Sequence, residues 1–453
     1  MRLPTRPPVV PASELVAAID AMSRPDVLAV IKKANAEYFH WDELRARPMP
    51  PGLTPREAWG VVKIARRAER RGIPLVDKDG QHFSYWLPPG ALETIHEVDR
   101  WAGTVAMDGA SAPVLAPIRE EVLISSLMEE AIATSQLEGA VTTRRVAKEM
   151  LRANRRPHGR GEQMIVNGYE TIQFLRAAKK EPLSVALLFD IQSRMTQGTL
   201  DDPSGAGRLR TEADKVAVVD VANDSVLFTP PPAAELLTRL EKLIAYANAS
   251  SRGDAFVHPL VKACVLHFWL AYEHPFIDGN GRTARALFFW FMLKNGYWLF
   301  EFLTVSRAIL KSPSGYYRSF LHSEHDDGDL TYSLLYQLDA TKRALADLRL
   351  YLQSKQEEQR DLSRRLRAVP DANARQRSLL DHALRNPDVP ITFGSHARTH
   401  DVTLVTSRND VLELVARRLL REVGKGRQRS FLPVLDLDAR LSRSPKTAPR
   451  KRR

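Results

Sequence analysis

His274-Pro275-Phe276-Ile277-Asp278-Gly279-Asn280-Gly281-Arg282-Thr283-Ala284-Arg285 reads as a loop leading into a helix. Two glycines flank an asparagine just before the helix begins. Glycine lets the backbone approach a ligand closely, and the free amides of a helix N-terminus attract anions. Arg282 and Arg285, three residues apart, share one helix face beside that terminus. Two guanidinium groups and a ring of amides make a phosphate cradle. Asp278 adds a hard oxygen ligand suited to a magnesium ion bridging phosphates. His274 can take a proton near neutral pH and so activate a hydroxyl nucleophile. Phe276 is expected to anchor the loop in the core. Singly, each residue has an ordinary reading: a histidine caps a helix, Asn-Gly beside Asp makes a turn, arginines on a helix face are solvated. The combination points to nucleotide chemistry.

Outward from this stretch the chain reads as helices set off by proline and glycine. Upstream, Pro259 opens a helix that runs to Glu273. Downstream, a helix over 282–295 stops at Gly296, and further helix fills 304–367. A helix is expected over 117–138, with Pro117 in its first turn, Glu120 and Glu121 complementing its dipole, and Gly139 as its stop. Others are expected over 143–154, 162–180, 183–197 and 233–248, with a loop over 155–161. Residues 213–229 differ: Val216, Val218, Val221 and Val226, with polar residues between, predict a β-hairpin turning near Asn223-Asp224, ended by Pro230-Pro231-Pro232. Residues 1–13 are Pro-rich and read as flexible, and 14–110, with Trp41, Trp59 and Trp86, read as a small packed module of unknown role.

The chain has 453 residues, 44% of them apolar and 26% charged, enough for two or three domains with sizeable cores. No apolar run approaches the length of a membrane span, and the opening MRLPTRPPVVPAS lacks a signal-peptide core. The single cysteine, Cys264, lies in an apolar run, which suits a reducing cytoplasm. The net charge of +12 favours polyanionic partners, although the closing RLSRSPKTAPRKRR holds much of the excess and reads as disordered.

The loop and helix at 274–285 resemble the Fic signature, H-P-F-x-[DE]-G-N-G-R-x-x-R, and the resemblance extends over about 117–340. It implies a mostly helical bundle with a small β-hairpin flap, and a protein adenylyltransferase that moves AMP from ATP onto a Ser, Thr or Tyr hydroxyl of a protein. By the same resemblance His274 is the base and Asp278 holds Mg2+. Gly279, Asn280 and Gly281 cradle the α- and β-phosphates. Arg282, Thr283, Ala284 and Arg285 complete the nucleotide site, with Arg285 on the γ-phosphate. Doc-type relatives, which phosphorylate, depart from the signature at its glycine-arginine end; Gly281 and Arg282 are present here. Arg210-Thr211, the hairpin and the proline triplet look like the family's flap, with Val216 and Ala217 placed to hold the target's backbone. The flap departs from the family's Gln-Asn-Trp-Ile-Gly, reading Glu212-Ala213-Asp214-Lys215-Val216-Ala217, which leaves the target open. Thr134-Ser135-Gln136-Leu137-Glu138-Gly139 fits the family's inhibitory pattern [ST]-x-x-x-E-[GN], which implies that Glu138 pairs with Arg285 and restrains transfer. The same carboxylate is a candidate for orienting water to remove AMP. Tyr316-Tyr317 and Asp329-Leu330-Thr331 also look familial.

Residues 373–433 are expected to form a separate domain of three helices and a hairpin, with 434–453 a disordered basic tail. The pattern resembles the winged helix-turn-helix module of many bacterial Fic proteins. That resemblance implies duplex DNA contacts from Thr403, Thr406, Ser407 and Arg408 on the recognition helix and from Lys425 in the wing. A protein-binding winged helix is the alternative. The expected partners are a protein substrate, ATP and duplex DNA, with a homodimer as a further candidate and no membrane. Two other functions stay open: a DNA-binding regulator whose Fic domain senses nucleotide or modifies itself, and transfer of another nucleotide such as UMP.

Overall fold

The computed structural model describes residues 3–106, 119–220, 225–250, 252–424 and 429–442. The chain is mostly helical, with three small antiparallel sheets among the described residues. It divides into two compact units, 1–349 and 350–453, and the helix Thr331–Arg367 begins in the first and ends in the second. No described helix is long and apolar enough to cross a membrane.

The first unit is built around two helices, Pro259–Glu273 and Asn280–Lys294, joined by the loop at 274–279. Both are apolar on nearly every side, the pattern of a helix enclosed by others. Leu266, Phe268, Trp269, Leu287, Phe288, Trp290 and Phe291 are all buried. The helices Arg119–Leu137, Gly159–Ala177, Val185–Thr196 and Leu236–Asn248 also belong to this unit. Pro117 lies outside the described residues, and the first of these helices begins at Arg119. It ends where expected: Gly139 takes φ +88°, and the Ala140 amide reaches back to the Ser135 carbonyl at 3.0 Å.

The hairpin is shorter than its alternating valines suggested. Val218–Asp220 pairs antiparallel with Ser225–Phe228, with an irregularity between Val218 and Val219. Ahead of it Glu212–Asp214 forms a turn of 3-10 helix, because the Asp214 carboxylate accepts the Thr211 amide at 2.6 Å. Val216 and Ala217 therefore precede the paired strand. The turn at Asn223-Asp224 and Val221 lie outside the described residues.

Residues 3–106 are part of the same unit. The Pro-rich start is packed rather than loose: Pro4 is buried, and the Thr5 amide donates to Asp42 at 2.8 Å. Val27, Ile31, Leu44, Trp59 and Val62 form a local core. This module is tied to the segment at 326–332 by buried charge. Lys63 Nζ lies 2.5 Å from Asp326, Arg70 pairs with Asp329, and Arg66 donates to the Tyr332 hydroxyl at 2.9 Å. The Leu330 amide also donates to the Ser84 carbonyl at 2.9 Å, extending the edge of the hairpin Arg71–Val76/His82–Tyr85. Asp329-Leu330-Thr331 is thus the seat of the N-terminal module.

The second unit contains the helices Ala374–Arg385, Phe393–His400 and Leu404–Ala416 and a three-stranded sheet ordered Ile391–Thr392, Ser430–Pro433, Leu420–Glu422. Leu380, Val411, Leu414 and Phe431 fill its core. The expectation of a disordered tail from 434 onward is corrected over its first residues: Leu437–Ser442 is helical, and Leu437 and Leu441 are buried in that core. Lys425 lies outside the described residues.

Candidate active site

The loop owes its shape to four devices. The helix Pro259–Glu273 ends at His274, which takes the left-handed conformation, φ 46° and ψ 55°. A side chain resists that conformation, so the surroundings must impose it. Arg210 does so. Its amide donates to the Pro275 carbonyl at 2.8 Å, its Nε to the His274 carbonyl at 2.8 Å and its Nη2 to the Pro231 carbonyl at 2.5 Å. Phe276 is fully buried, as expected of an anchor. Asn280 clasps the loop from the far side, accepting the Phe276 amide at 2.9 Å and donating to the Phe276 carbonyl at 2.8 Å. Its side chain is therefore occupied, and only backbone remains to meet a ligand. Gly279 caps the helix Asn280–Lys294 at φ +82°, and a Cβ there would stand 2.7 Å from Thr196.

His274 Nδ1 lies 3.3 Å from the Ala271 carbonyl. A carbonyl only accepts, so the proton sits on Nδ1 and Nε2 is left as the basic nitrogen. Burial lowers the His274 pKa below the ordinary 6.5, which keeps the ring neutral at physiological pH.

Asp278 is the one carboxylate of the loop, with its side chain 37% exposed. Arg282 Nη2 approaches it at 3.2 Å and Arg160 Nη2 at 3.6 Å. Arg282 is almost wholly buried and donates Nη1 to the Met195 carbonyl at 2.6 Å, while its Nε has no partner among the described residues. Arg285 is also buried. Its Nε donates to Thr134 Oγ1 at 2.7 Å, its Nη2 to the Thr134 carbonyl at 3.0 Å and to Glu138 Oε1 at 2.7 Å. Its Nη1 is without a partner among the described residues. Burial works against the Arg285 charge, but the Glu138 carboxylate, together with Tyr316 and Tyr317, outweighs it and raises the pKa above the usual arginine value. The same carboxylate overlies Gly281 so closely that a Cβ there would overlap it.

His274, Asp278, Gly279, Gly281, Arg282, Arg285 and Glu138 thus meet in one place. Thr283 and Ala284, expected in the nucleotide site, are completely buried, so their side chains serve the bundle core. In the second unit Thr403 caps the helix Leu404–Ala416, accepting the Thr406 amide at 3.2 Å, and Arg408 is exposed. Ser407 is corrected: it is fully buried and donates to the Phe393 carbonyl at 2.7 Å, so it faces no groove. Gln192, Met195 and Arg160 take part in or flank the site without belonging to either motif, and Thr134 comes from the start of the 134–139 pattern. Gln192 donates to the Asp278 carbonyl at 3.1 Å and accepts the Gly207 amide at 2.6 Å. A glutamine among apolar helix positions was its only signal.

Residues 182–292 match the model of the Fic/DOC family. The protein adenylyltransferase fic-1 of Caenorhabditis elegans is 33% identical over 96 residues, 21% of this chain and 17% of that protein. The protein adenylyltransferase Fic of Drosophila ananassae is 32% identical over 125 residues, 28% of this chain and 23% of that protein. This chain therefore spans about a fifth of the length of the curated relatives it matches. The crystal structure of a Fic family protein from Desulfovibrio desulfuricans is 18% identical, with a TM-score of 0.49 over 76% of this chain and 94% of that one. The chain carries a Fic/DOC family domain over residues 182–292.

Proposed function

We propose that this protein is an adenylyltransferase that moves AMP from ATP onto a Ser, Thr or Tyr hydroxyl of a protein, and that Glu138 restrains it. One observation carries the reading. Two buried guanidinium groups, each with one donor that has no partner among the described residues, Arg282 Nε and Arg285 Nη1, stand at a helix N-terminus beside a histidine whose Nε2 is basic. Buried charged donors without partners are costly, and a polyphosphate supplies the missing acceptors.

In this mechanism the target hydroxyl donates its proton to His274 Nε2, and its oxygen attacks the α-phosphorus. The bond from that phosphorus to the bridging oxygen breaks, and pyrophosphate leaves. The amides of Gly279, Asn280 and Gly281 and the two arginines hold the phosphates in line and stabilise the charge that develops on them. Asp278 fits a magnesium ion, since a single accessible carboxylate is what that ion needs when phosphates and water complete its shell. Bound there, magnesium would neutralise phosphate charge.

Glu138 restrains transfer because it holds the guanidinium that the γ-phosphate needs and overlies Gly281. Val216 and Ala217 lead into the strand Val218–Asp220 of a two-stranded sheet among the described residues, a placement that supports a target-docking role for them. In the second unit, exposed Thr403 and Arg408 at one helix start, with the positive chain, support contact with duplex DNA. Cys264, buried and unpaired, suits the cytoplasm. The test is incubation of the full chain with ATP labelled at the α- or the γ-phosphate. Protein that takes up only the α-label supports AMP transfer; uptake of the γ-label alone would mean phosphorylation. Labelled UTP in parallel distinguishes UMP transfer.

A further inference from the structure

We propose that Arg160 is a third phosphate-contacting arginine of the nucleotide site, contributed from outside the 274–285 segment. The proposal rests on the nucleotide reading above. Arg160 stands beside the carboxylate at the mouth of the phosphate loop: its Nη2 is 3.6 Å from Asp278 Oδ2 and its Nη1 is 3.1 Å from Asp201 Oδ1. Its side chain is 55% exposed and that of Asp201 96% exposed. Exposed pairs of this kind hold weakly, so the guanidinium is free to exchange one anion for another.

Its backbone, by contrast, is helical. Gly159, at φ +83°, opens the helix Gly159–Ala177. Gly161 packs against the turn that follows Glu138: a Cβ on it would come within 3.0 Å of the Val141 amide nitrogen. Arg160 lies between these glycines in the first turn of the helix, with a long, half-exposed side chain that reaches Asp278 and Asp201. Arg282 and Arg285 are buried and cannot follow an incoming ligand, whereas Arg160 can.

The ligand this arrangement suits is the phosphate chain of a nucleoside di- or triphosphate. A guanidinium at the Asp278 edge adds a charge-assisted contact to phosphates beyond the first, and it leaves a monophosphate largely untouched. Asp201 and Asp278 hold Arg160, and the phosphates would replace them.

The test is direct binding of ADP and of AMP to the full chain by calorimetry, for wild type, Arg160→Ala, Arg160→Lys and Asp201→Ala. Arg155→Ala, which removes a neighbouring arginine paired with Glu162, is the control. Arg160→Ala is expected to weaken ADP about tenfold with little change for AMP, Arg160→Lys to recover part of the loss, and Asp201→Ala to leave ADP affinity undiminished. Wild-type ADP affinity in Arg160→Ala overturns the proposal. So does an equal loss for AMP, or the same loss in Asp201→Ala, since either would make Arg160 a structural prop. A wild-type chain that binds neither nucleotide overturns the nucleotide reading itself and this proposal with it.

Discussion

Glu138 Oε1 lies 2.7 Å from Arg285 Nη2, across 147 residues of sequence, and the same oxygen sits directly above Gly281. One carboxylate thus covers both the Arg285 guanidinium and the Gly281 backbone. It is delivered there because the helix Arg119–Leu137 ends one residue earlier and Gly139 turns the chain away. Tyr317 steadies that end by donating its hydroxyl to the Leu137 carbonyl at 3.2 Å.

His274→Ala is expected to lower transfer by about 10²–10⁴-fold while ATP binding persists. A pH profile adds a sharper reading. Burial disfavours the charged ring, so the folded pKa lies below 6.5 and the base stays neutral to lower pH than a free histidine. The acid limb of kcat/KM should therefore fall below pH 6.5. An acid limb above it would contradict the geometry.

Arg210→Ala is expected to destabilise the fold and to lower transfer together. Removing this buried guanidinium leaves the His274 and Pro231 carbonyls without their donor, at about 1–3 kcal/mol for each buried group. Denaturant unfolding beside a transfer assay checks it. A variant of wild-type stability and rate would show that the left-handed His274 needs no brace.

The segment 274–285 made the candidate site legible because loop, helix start and both arginines are contiguous. Helix limits were legible where proline and glycine mark them, at Pro259, Gly139 and Gly296. What bound distant segments was not: Arg210 holding His274, or Arg160 reaching Asp278, depends on how helices pack. The strand Ile391–Thr392 is too short to show alternation. The helix Leu437–Ser442 was hidden by the basic composition around it, although Leu437 and Leu441, four apart, were its signal.

Glu130→Gln is expected to change how stability depends on pH. Glu130 accepts the Ser306 amide at 3.0 Å, and burial pushes its carboxyl from 4.5 up to about 7. Between those values the unfolded chain has released the proton and the folded chain keeps it, so stability falls as pH rises through that window. The glutamine variant lacks this loss. Its Tm should gain on wild type from about pH 5 to about pH 7. Parallel Tm curves would place Glu130 in an ordinary environment.

Arg408→Ala is expected to weaken binding to duplex DNA and to reduce its salt slope by about one, with AMP transfer in vitro unchanged. Arg408 is exposed near the start of the helix Leu404–Ala416. Equal affinity for DNA in variant and wild type across a salt series would favour a protein partner for this unit.

The most direct measurement is self-labelling with α-labelled ATP by wild type, Glu138→Gly and the double variant Glu138→Gly/Arg285→Ala. Glu138→Gly is expected to label about 100-fold faster, equivalent to about 2.7 kcal/mol in the productive population, and Glu138→Gln to activate in part. The double variant should be inactive, because the freed arginine is what activation uses. If Glu138→Gly labels itself and lysate proteins no faster than wild type, Glu138 is a plain helix end and the restraint is contradicted.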